Sequence, residues 1–416
     1  ISVLCPVPLP HLSIWHELLR PDHAPLVAAA SSIDPHDAAS IDRLRKGRSP
    51  EMVRAALMLT DARRNAAAKW PSETAGRLIA DPQGVEMATS ALAAAHKARR
   101  FVEVLGEGAL VLDLCCGIGG DAMGLTAAGL KVLAIDKDDA RSWMCAQNAG
   151  AGCTRRACDV LDASLPDGPF HLDPSRRTES DTGEVRRLFQ IDDHWPGPSI
   201  WRTLIERHRD GAIKLGPGLD IEAVRRVLPP GVEHEIEIIS ERGRLTQAVL
   251  WVGRLARHAR GARTATLLHN HNPPTSLRAE AGGCGEPPGG PLRRYLIEAD
   301  ASIERAGLLL AAAHQTTMTT LAPGLGLLTG EAPAPGPLFS NFAVVATMPW
   351  IEKNARAWLK DHDSGIVEIK TRGRAIDPDH LQTSLRGPGS TRYTLFILRI
   401  GRSLDAIITL RVNQTA

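Results

Sequence analysis

Apolar residues recur along this chain with changing rhythms. Up to about residue 104 they return every three or four positions. The stretches SIDPHDAASIDRLRK, PEMVRAALMLTDARRNAAAKW and GVEMATSALAAAHKARRFVEVLG each gather them on one helical face, with Ser, Asp or Pro near the start of the first two. A helical domain over 1–104 is expected. Between 105 and 260 short apolar runs alternate with helical stretches. Strands are expected at 111–114, 131–136, 154–160, 169–173 and 212–215, and helices at 120–128, 138–148, 198–209 and 220–228. Runs at 234–240 and 246–253 follow with only a short ERGRL link, which predicts a hairpin. Five strands of βα type predict a parallel sheet with helices on both faces, closed by that hairpin. Residues 261–291 are expected to be a connection, because 272–291 is rich in Gly and Pro. Residues 292–416 predict a separate α+β unit, with helices at 299–314, 351–361 and 377–385 and strands at 342–348, 365–370, 392–400 and 404–411.

Composition narrows the picture only modestly. The chain has 416 residues, 43% of them hydrophobic, enough for two or three domains with ordinary cores. No apolar run approaches the roughly 20 residues of a membrane span. The opening ISVLCPVPLP lacks the charged and apolar regions of a signal peptide, so a cytoplasmic location is expected. Seven cysteines show no C-x-x-C spacing, which predicts reduced thiols and no zinc site. A net charge of +2 means that any basic surface must be local.

The stretch VLDLCCGIGGDA at 111–122 carries the chemistry. A strand ends in an acid, glycines follow, and a helix begins, as in a nucleotide-binding βα unit. Gly117, Gly119 and Ala122 satisfy even the loose dinucleotide pattern. Charge separates the candidate ligands. A pyrophosphate against the helix start would meet Asp113 and Asp121, which repel it. The sulfonium and α-ammonium of S-adenosylmethionine would be attracted to the same carboxylates. Asp136, 19 residues beyond Gly117, ends the second strand and suits ribose hydroxyls in either ligand. Asp159, with Val160 beside it, suits an adenine amino group. Asp113, Asp136, Asp159 and Asp173 close four successive strands, where ligands bind in open α/β sheets.

At this point 105–260 resembles the class I S-adenosylmethionine-dependent methyltransferases. VLDLCCGIGGDA, KVLAIDKDD, CDV and LDPSRR match that family's first four motifs. The DLCCGIGGD and DPSRR pair, with LRKGRSPEMVRAAL, RRNAAAKW, IKLGPGLD and VEIKTRGRAIDPDHL, is similar to bacterial members carrying a C-terminal THUMP-like domain. The resemblance implies an α/β fold with a Rossmann-like seven-stranded sheet, S-adenosylmethionine as cofactor, no metal, and RNA as substrate. It implies a cofactor set of Asp113, Cys115, Gly117, Gly119, Asp121, Asp136, Lys137, Asp159 and Val160. Cys115 stands where many relatives carry the first glycine.

For the chemistry, Asp173 is expected near the methyl, where its carboxylate could accept a hydrogen bond from an amine nucleophile. Pro174 would stiffen the turn. Arg176 and Arg177 stand where methylases of base amines commonly place an aromatic, and would grip or stack on the target. Lys214 and Arg372 are expected substrate contacts, and RLRKGR (43–48), KARR (97–100) and KTRGR (370–374) are candidate phosphate contacts. Plainer readings stand beside these. Asp121 could be a helix cap, the arginines could pair with surface acids, and the basic runs could be solvated helix faces. His171 is expected to be a satisfied core histidine, and Cys115 and Cys116 packing residues. The alternatives are a small-molecule N- or O-methyltransferase, a non-catalytic S-adenosylmethionine- or RNA-binding module, and an NAD-dependent dehydrogenase.

Overall fold

The computed structural model describes residues 9–34, 37–162, 164–176, 191–270, 272–373, 376 and 379–412. The chain divides into two compact units, Ile1–His234 with Val249–Arg257, and Glu235–Ala248 with His258–Ala416.

The first unit opens with seven helices: α1 (Leu12–Leu18), α2 (Ala24–Ser31), α3 (Ala38–Arg45), α4 (Pro50–Ala66), α5 (Ser72–Arg77), α6 (Pro82–Met87) and α7 (Ala91–Leu105). Pro50 sits in the first turn of α4, where its missing N–H costs nothing. Val53, Ala56 and Leu59 then fall on one face and pack with Trp15 and Leu18. Ser90 caps α7 by accepting from the Ala93 N–H. The buried face of α7 carries Ala94, Lys97, Ala98 and Phe101.

The sheet elements follow as β1 (Leu110–Leu114), α8 (Gly120–Ala127), β2 (Lys131–Asp136), α9 (Asp139–Ala149), β3 (Cys153–Ala157), β4 (Phe170–Leu172), β5 (Ser175–Arg176), β6 (His194–Trp195), α10 (Pro198–His208), β7 (Gly211–Leu215), α11 (Ile221–Val227), β8 (His234–Glu241) and β9 (Arg244–Val252). In this unit the strands run β9-β7-β4-β1-β2-β3. The pairs β1/β2, β2/β3, β1/β4 and β4/β7 are parallel, as the alternation of strand and helix signals predicts. Helix α8 lies tightly against α7. A Cβ on Gly124 would fall 2.8 Å from the Ala94 carbonyl carbon, so only glycine allows that approach.

In the second unit β8 and β9 are joined by Arg242 and Gly243, both left-handed at φ 53° and 72°. That is the two-residue turn whose twist suits a hairpin. Strands β10 (Ala262–Leu268) and β11 (Thr275–Ala279) stand within 261–291, where the sequence reading places a connection. Strand β10 pairs parallel to β8, and β11 pairs antiparallel to β10. Threonines disguise β10: the hydroxyls of Thr264 and Thr266 donate to the buried carboxylates of Glu235 and Glu237 at 2.8 and 2.6 Å.

The remaining elements are β12 (Tyr295–Ala299), α12 (Ala301–Ala306), α13 (Leu309–Thr316), β13 (Thr319–Thr320), β14 (Leu327–Gly330), β15 (Phe339–Pro349), α14 (Glu352–Asp361), β16 (Ser364–Arg372), α15 (Asp379–Ser384), β17 (Thr391–Ile400) and β18 (Ser403–Val412). They form a seven-stranded sheet in the order β13-β14-β12-β15-β18-β17-β16. The helix expected at 299–314 is broken in two at Gly307, which is left-handed at φ 68°. The four strands expected beyond residue 340 all form, while β12, β13 and β14 carry no clear apolar alternation. No helix among the described residues is long and apolar enough to cross a membrane.

Candidate active site

Four strand ends and two loops of the first unit enclose one cavity. Strand β1 hands over to the turn at Cys115, which adopts the left-handed φ of 59° that a glycine would take without cost. The Cys116 N–H then donates to the Ile135 carbonyl at 3.1 Å, and the Gly119 N–H to the Cys116 carbonyl at 2.9 Å. Gly119 has φ 91°, and a Cβ there would fall 2.9 Å from the Cys145 Cα. It lies beneath the loop and lets it pack on α9; it does not line the cavity. The Gly117 N–H donates to Asp136 Oδ2 at 3.0 Å, and the Asp138 N–H to Asp136 Oδ1 at 3.0 Å. The acid that ends β2 is thereby fixed against the glycine turn. Burial raises its pKa, and those two N–H groups offset part of the rise.

Asp113, Cys115, Gly117, Asp121, Asp136, Lys137, Asp159, Val160 and Asp173, all singled out from the sequence, line this cavity together. Pro174 is buried beside it without lining it. Arg176 is placed by its backbone only, in β5 opposite His194. Arg177 lies outside the described residues. Arg372 is in the second unit, where it donates to Glu298 at 2.7 Å. Lys214, expected on a phosphate, instead donates to Asp173 Oδ2 at 2.6 Å and to the Met87 carbonyl at 3.1 Å. Its strand, β7, pairs in parallel with β4, whose end leads directly into Asp173, and that brings the ammonium back onto the acid.

Below the loop lies a buried ionic network that sequence reasoning missed. Asp113, Lys97 and His171 are each 1% exposed, and Asp121 6%. Lys97 Nζ stands 2.6 Å from Asp121 Oδ1 and 3.0 Å from His171 Nε2. His171 Nδ1 stands 2.8 Å from Asp113 Oδ1, and Thr89 donates to Asp121 Oδ2 at 2.6 Å. Asp121 is therefore an ion-pair partner in the first turn of α8, not its cap, which is Gly119. Burial raises the Asp121 carboxyl, but His171, Lys97 and Lys214 more than cancel this and hold it well below the usual range. Asp113 moves the other way: burial pushes it up, and the His171 hydrogen bond offsets only part. Asp113 Oδ2 is buried without a hydrogen-bond partner among the described residues, although Asp113 lines the cavity.

Two cations of the KARR run, Lys97 and Arg100, are thus buried rather than set out for phosphate, while Arg99 stays exposed. Lys97 is in the network, and the Arg100 guanidinium lies over the Trp251 ring at 4.3 Å. The signal was the face of α7: Lys97 follows Ala94 by three and precedes Ala98 by one, inside the apolar stripe. His171 is buried as expected, but as a link between two carboxylates and a lysine. The Cys116 thiol is pushed up to about 12 by burial, and Cys115 also rises, which leaves both protonated and unsuited to nucleophilic attack. Among the described residues no cluster of His, Cys, Asp and Glu is arranged to hold a metal.

Comparison with known proteins gives matches of three kinds. Residues 340–411 match the family model described as THUMP domain-like. The chain is 31% identical over 363 residues to an uncharacterized S-adenosylmethionine-dependent methyltransferase of Mycobacterium tuberculosis, in both strain CDC 1551 and strain H37Rv. The match spans 85% of this chain and 94% of the relative. A crystal structure from Porphyromonas gingivalis W83 that carries a provisional methyltransferase name has the same fold, with a TM-score of 0.72 at 17% identity. That match covers 94% of this chain and 98% of the other.

Proposed function

Because the chain belongs to the S-adenosylmethionine-dependent methyltransferases, we propose that its methyl acceptor is a base nitrogen in RNA. The enzyme uses S-adenosylmethionine, whose sulfonium supplies an already activated methyl group. The cavity suits that cofactor. The unpartnered Asp113 Oδ2 is the acceptor an α-ammonium group requires in a buried place. Asp136, at the end of β2, would take the ribose hydroxyls, and Asp159 with Val160 would receive the adenine. Lys137 lies at the exposed rim.

The observation that carries the RNA reading is the THUMP domain-like match at 340–411, since that domain's name comes from RNA-modifying enzymes. In this reading Asp173 accepts a hydrogen bond from the amine to be methylated and aligns its lone pair with the methyl. Lys214 holds the Asp173 carboxylate in place, so it acts as a positioning residue rather than a phosphate contact. A role for Arg176 and Arg177 in gripping the target remains part of the proposal, as does Arg372 as a contact on the second unit. A cytoplasmic setting belongs to the same reading and fits the six described cysteines, all free thiols.

The test is transfer of tritiated methyl from S-adenosylmethionine to a pool of unmodified transfer and ribosomal RNA transcripts. The wild type should label RNA, and Asp173→Ala should lower the rate about 100-fold or more. Absence of label from RNA with the wild type, alongside intact cofactor binding, would overturn the RNA reading.

A further inference from the structure

Of the two acids beneath the cofactor loop, only one has an oxygen to spare. Asp121 is engaged at both oxygens, by Lys97 Nζ at Oδ1 and by the Thr89 hydroxyl at Oδ2. Asp113 is engaged at Oδ1, while its Oδ2 is buried without a hydrogen-bond partner among the described residues. Both acids line the cavity. The group that sets Asp113 apart is His171, a buried imidazole that the methyl transfer itself does not use.

Strand register brings the two together. Strands β1 and β4 pair in parallel with Asp113 directly opposite His171, and β7 places Ala212 on the other side of His171. Residues opposite in register project to the same face. Helices α7 and α8 cover that face and supply Lys97 and Asp121. Lys97 Nζ then stands 3.0 Å from His171 Nε2, and His171 Nδ1 stands 2.8 Å from Asp113 Oδ1. A lysine ammonium has protons only to give, and this one already gives one to Asp121 Oδ1. Nε2 therefore accepts, and the ring's own proton is left on Nδ1, where it is given to Asp113. That hydrogen bond favours the ionised form of a carboxyl that burial pushes the other way.

We propose that His171, held in one tautomer by Lys97, is the positioning residue that anchors Asp113 by Oδ1 and presents its Oδ2 to the α-ammonium of S-adenosylmethionine. This inference rests on the reading above that sets the ammonium on Asp113, and adds the two side chains that make this acid the acceptor. Neither Lys97 nor His171 lines the cavity, so their effect on the ligand passes through Asp113. Lys97 serves both carboxylates, Asp121 directly and Asp113 through the imidazole.

The experiment measures two affinities by calorimetry, for S-adenosylhomocysteine and for 5′-methylthioadenosine, which lacks the amino-acid end and its ammonium. The proteins are wild type, Asp113→Asn, His171→Asn and His171→Gln. The shorter amide of His171→Asn places an N–H where Nδ1 stands and keeps the bond to Asp113. The longer amide of His171→Gln reaches the place of Nε2, meets Lys97 and leaves Asp113 Oδ1 without its donor. His171→Gln should lose about tenfold or more in S-adenosylhomocysteine affinity, the effect of one hydrogen bond to a charged group, and stay within about threefold for 5′-methylthioadenosine. His171→Asn should stay within about threefold of wild type for both ligands. Asp113→Asn should show the same ligand-selective loss as His171→Gln. Equal loss of both ligands in His171→Gln would overturn the proposal, because the imidazole would then be supporting the cavity as a whole. So would His171→Asn losing as much as His171→Gln. A His171→Gln that binds like wild type beside an Asp113→Asn that does not would overturn the role of His171 alone. An Asp113→Asn with unchanged S-adenosylhomocysteine affinity would fail the ammonium reading first and this inference with it.

Discussion

Replacing Lys97 by Met should destabilise the first unit severely, and the network beneath the cofactor loop sets the size of the effect. The ammonium is 1% exposed and 2.6 Å from Asp121 Oδ1. At an effective dielectric of about 20 such a pair attracts by about 6 kcal/mol. Desolvation of both ions offsets most of that in the wild type. Lys97→Met keeps the length and volume of the stem but leaves Asp121 buried without its ion-pair partner, with Thr89 at 2.6 Å and His171 Nε2 at 3.6 Å. Removing one partner of a buried pair costs about 3–5 kcal/mol. For a unit of this size that corresponds to a fall of roughly 6–20 °C in the Tm. The double variant Lys97→Met, Asp121→Asn removes both charges, and should recover at least half of the loss. Urea unfolding followed by circular dichroism and tryptophan fluorescence reads all four corners of the cycle, with the first unit's transition resolved from the second's. A single variant within about 1 kcal/mol of wild type, or a double variant no better than the single, would refute the claim that Lys97 exists to neutralise Asp121.

The remaining expectations follow from the same geometry. Asp121 has a folded pKa below its ordinary value of 3.8, so it binds fewer protons folded than unfolded. Its stabilisation is complete above that ordinary value and is lost as pH falls below it; an acid titration of wild type and Asp121→Asn should show the steeper decline in wild type. Asp136→Ala removes the acceptor at the end of β2 and releases the Gly117 N–H, so S-adenosylhomocysteine affinity should fall by about 100-fold or more in calorimetry. Lys214→Met frees the Asp173 carboxylate without touching the cofactor loop, so kcat should drop about tenfold or more while S-adenosylhomocysteine affinity holds.

What could be read from the sequence was local. The turn at 115–119 and the acids at 113, 136, 159 and 173 each belong to a strand end whose apolar run and following glycine or helix are contiguous in the chain, and the four acids and residues 115–118 of the turn line the cavity. Lys97 was misread because a basic run carries no sign of what stands opposite it. Its partner Asp121 comes from the next helix, brought close by Gly124. Strand β10 escaped notice because its threonines donate to the buried carboxylates of β8, so its burial leaves little apolar signature. Lys214 and Arg372 were correctly seen as cations on strands, yet each is engaged by a carboxylate that only tertiary structure reveals.

The most direct test of the central claim uses S-adenosylmethionine with a deuterated methyl group. The enzyme is incubated with the RNA transcripts, the RNA is digested, and the nucleosides are resolved by mass spectrometry. The account predicts a heavy methyl on the base of one nucleoside, absent with Asp173→Ala. Heavy methyl on the ribose alone, or none in RNA from an enzyme that binds the cofactor, would contradict it.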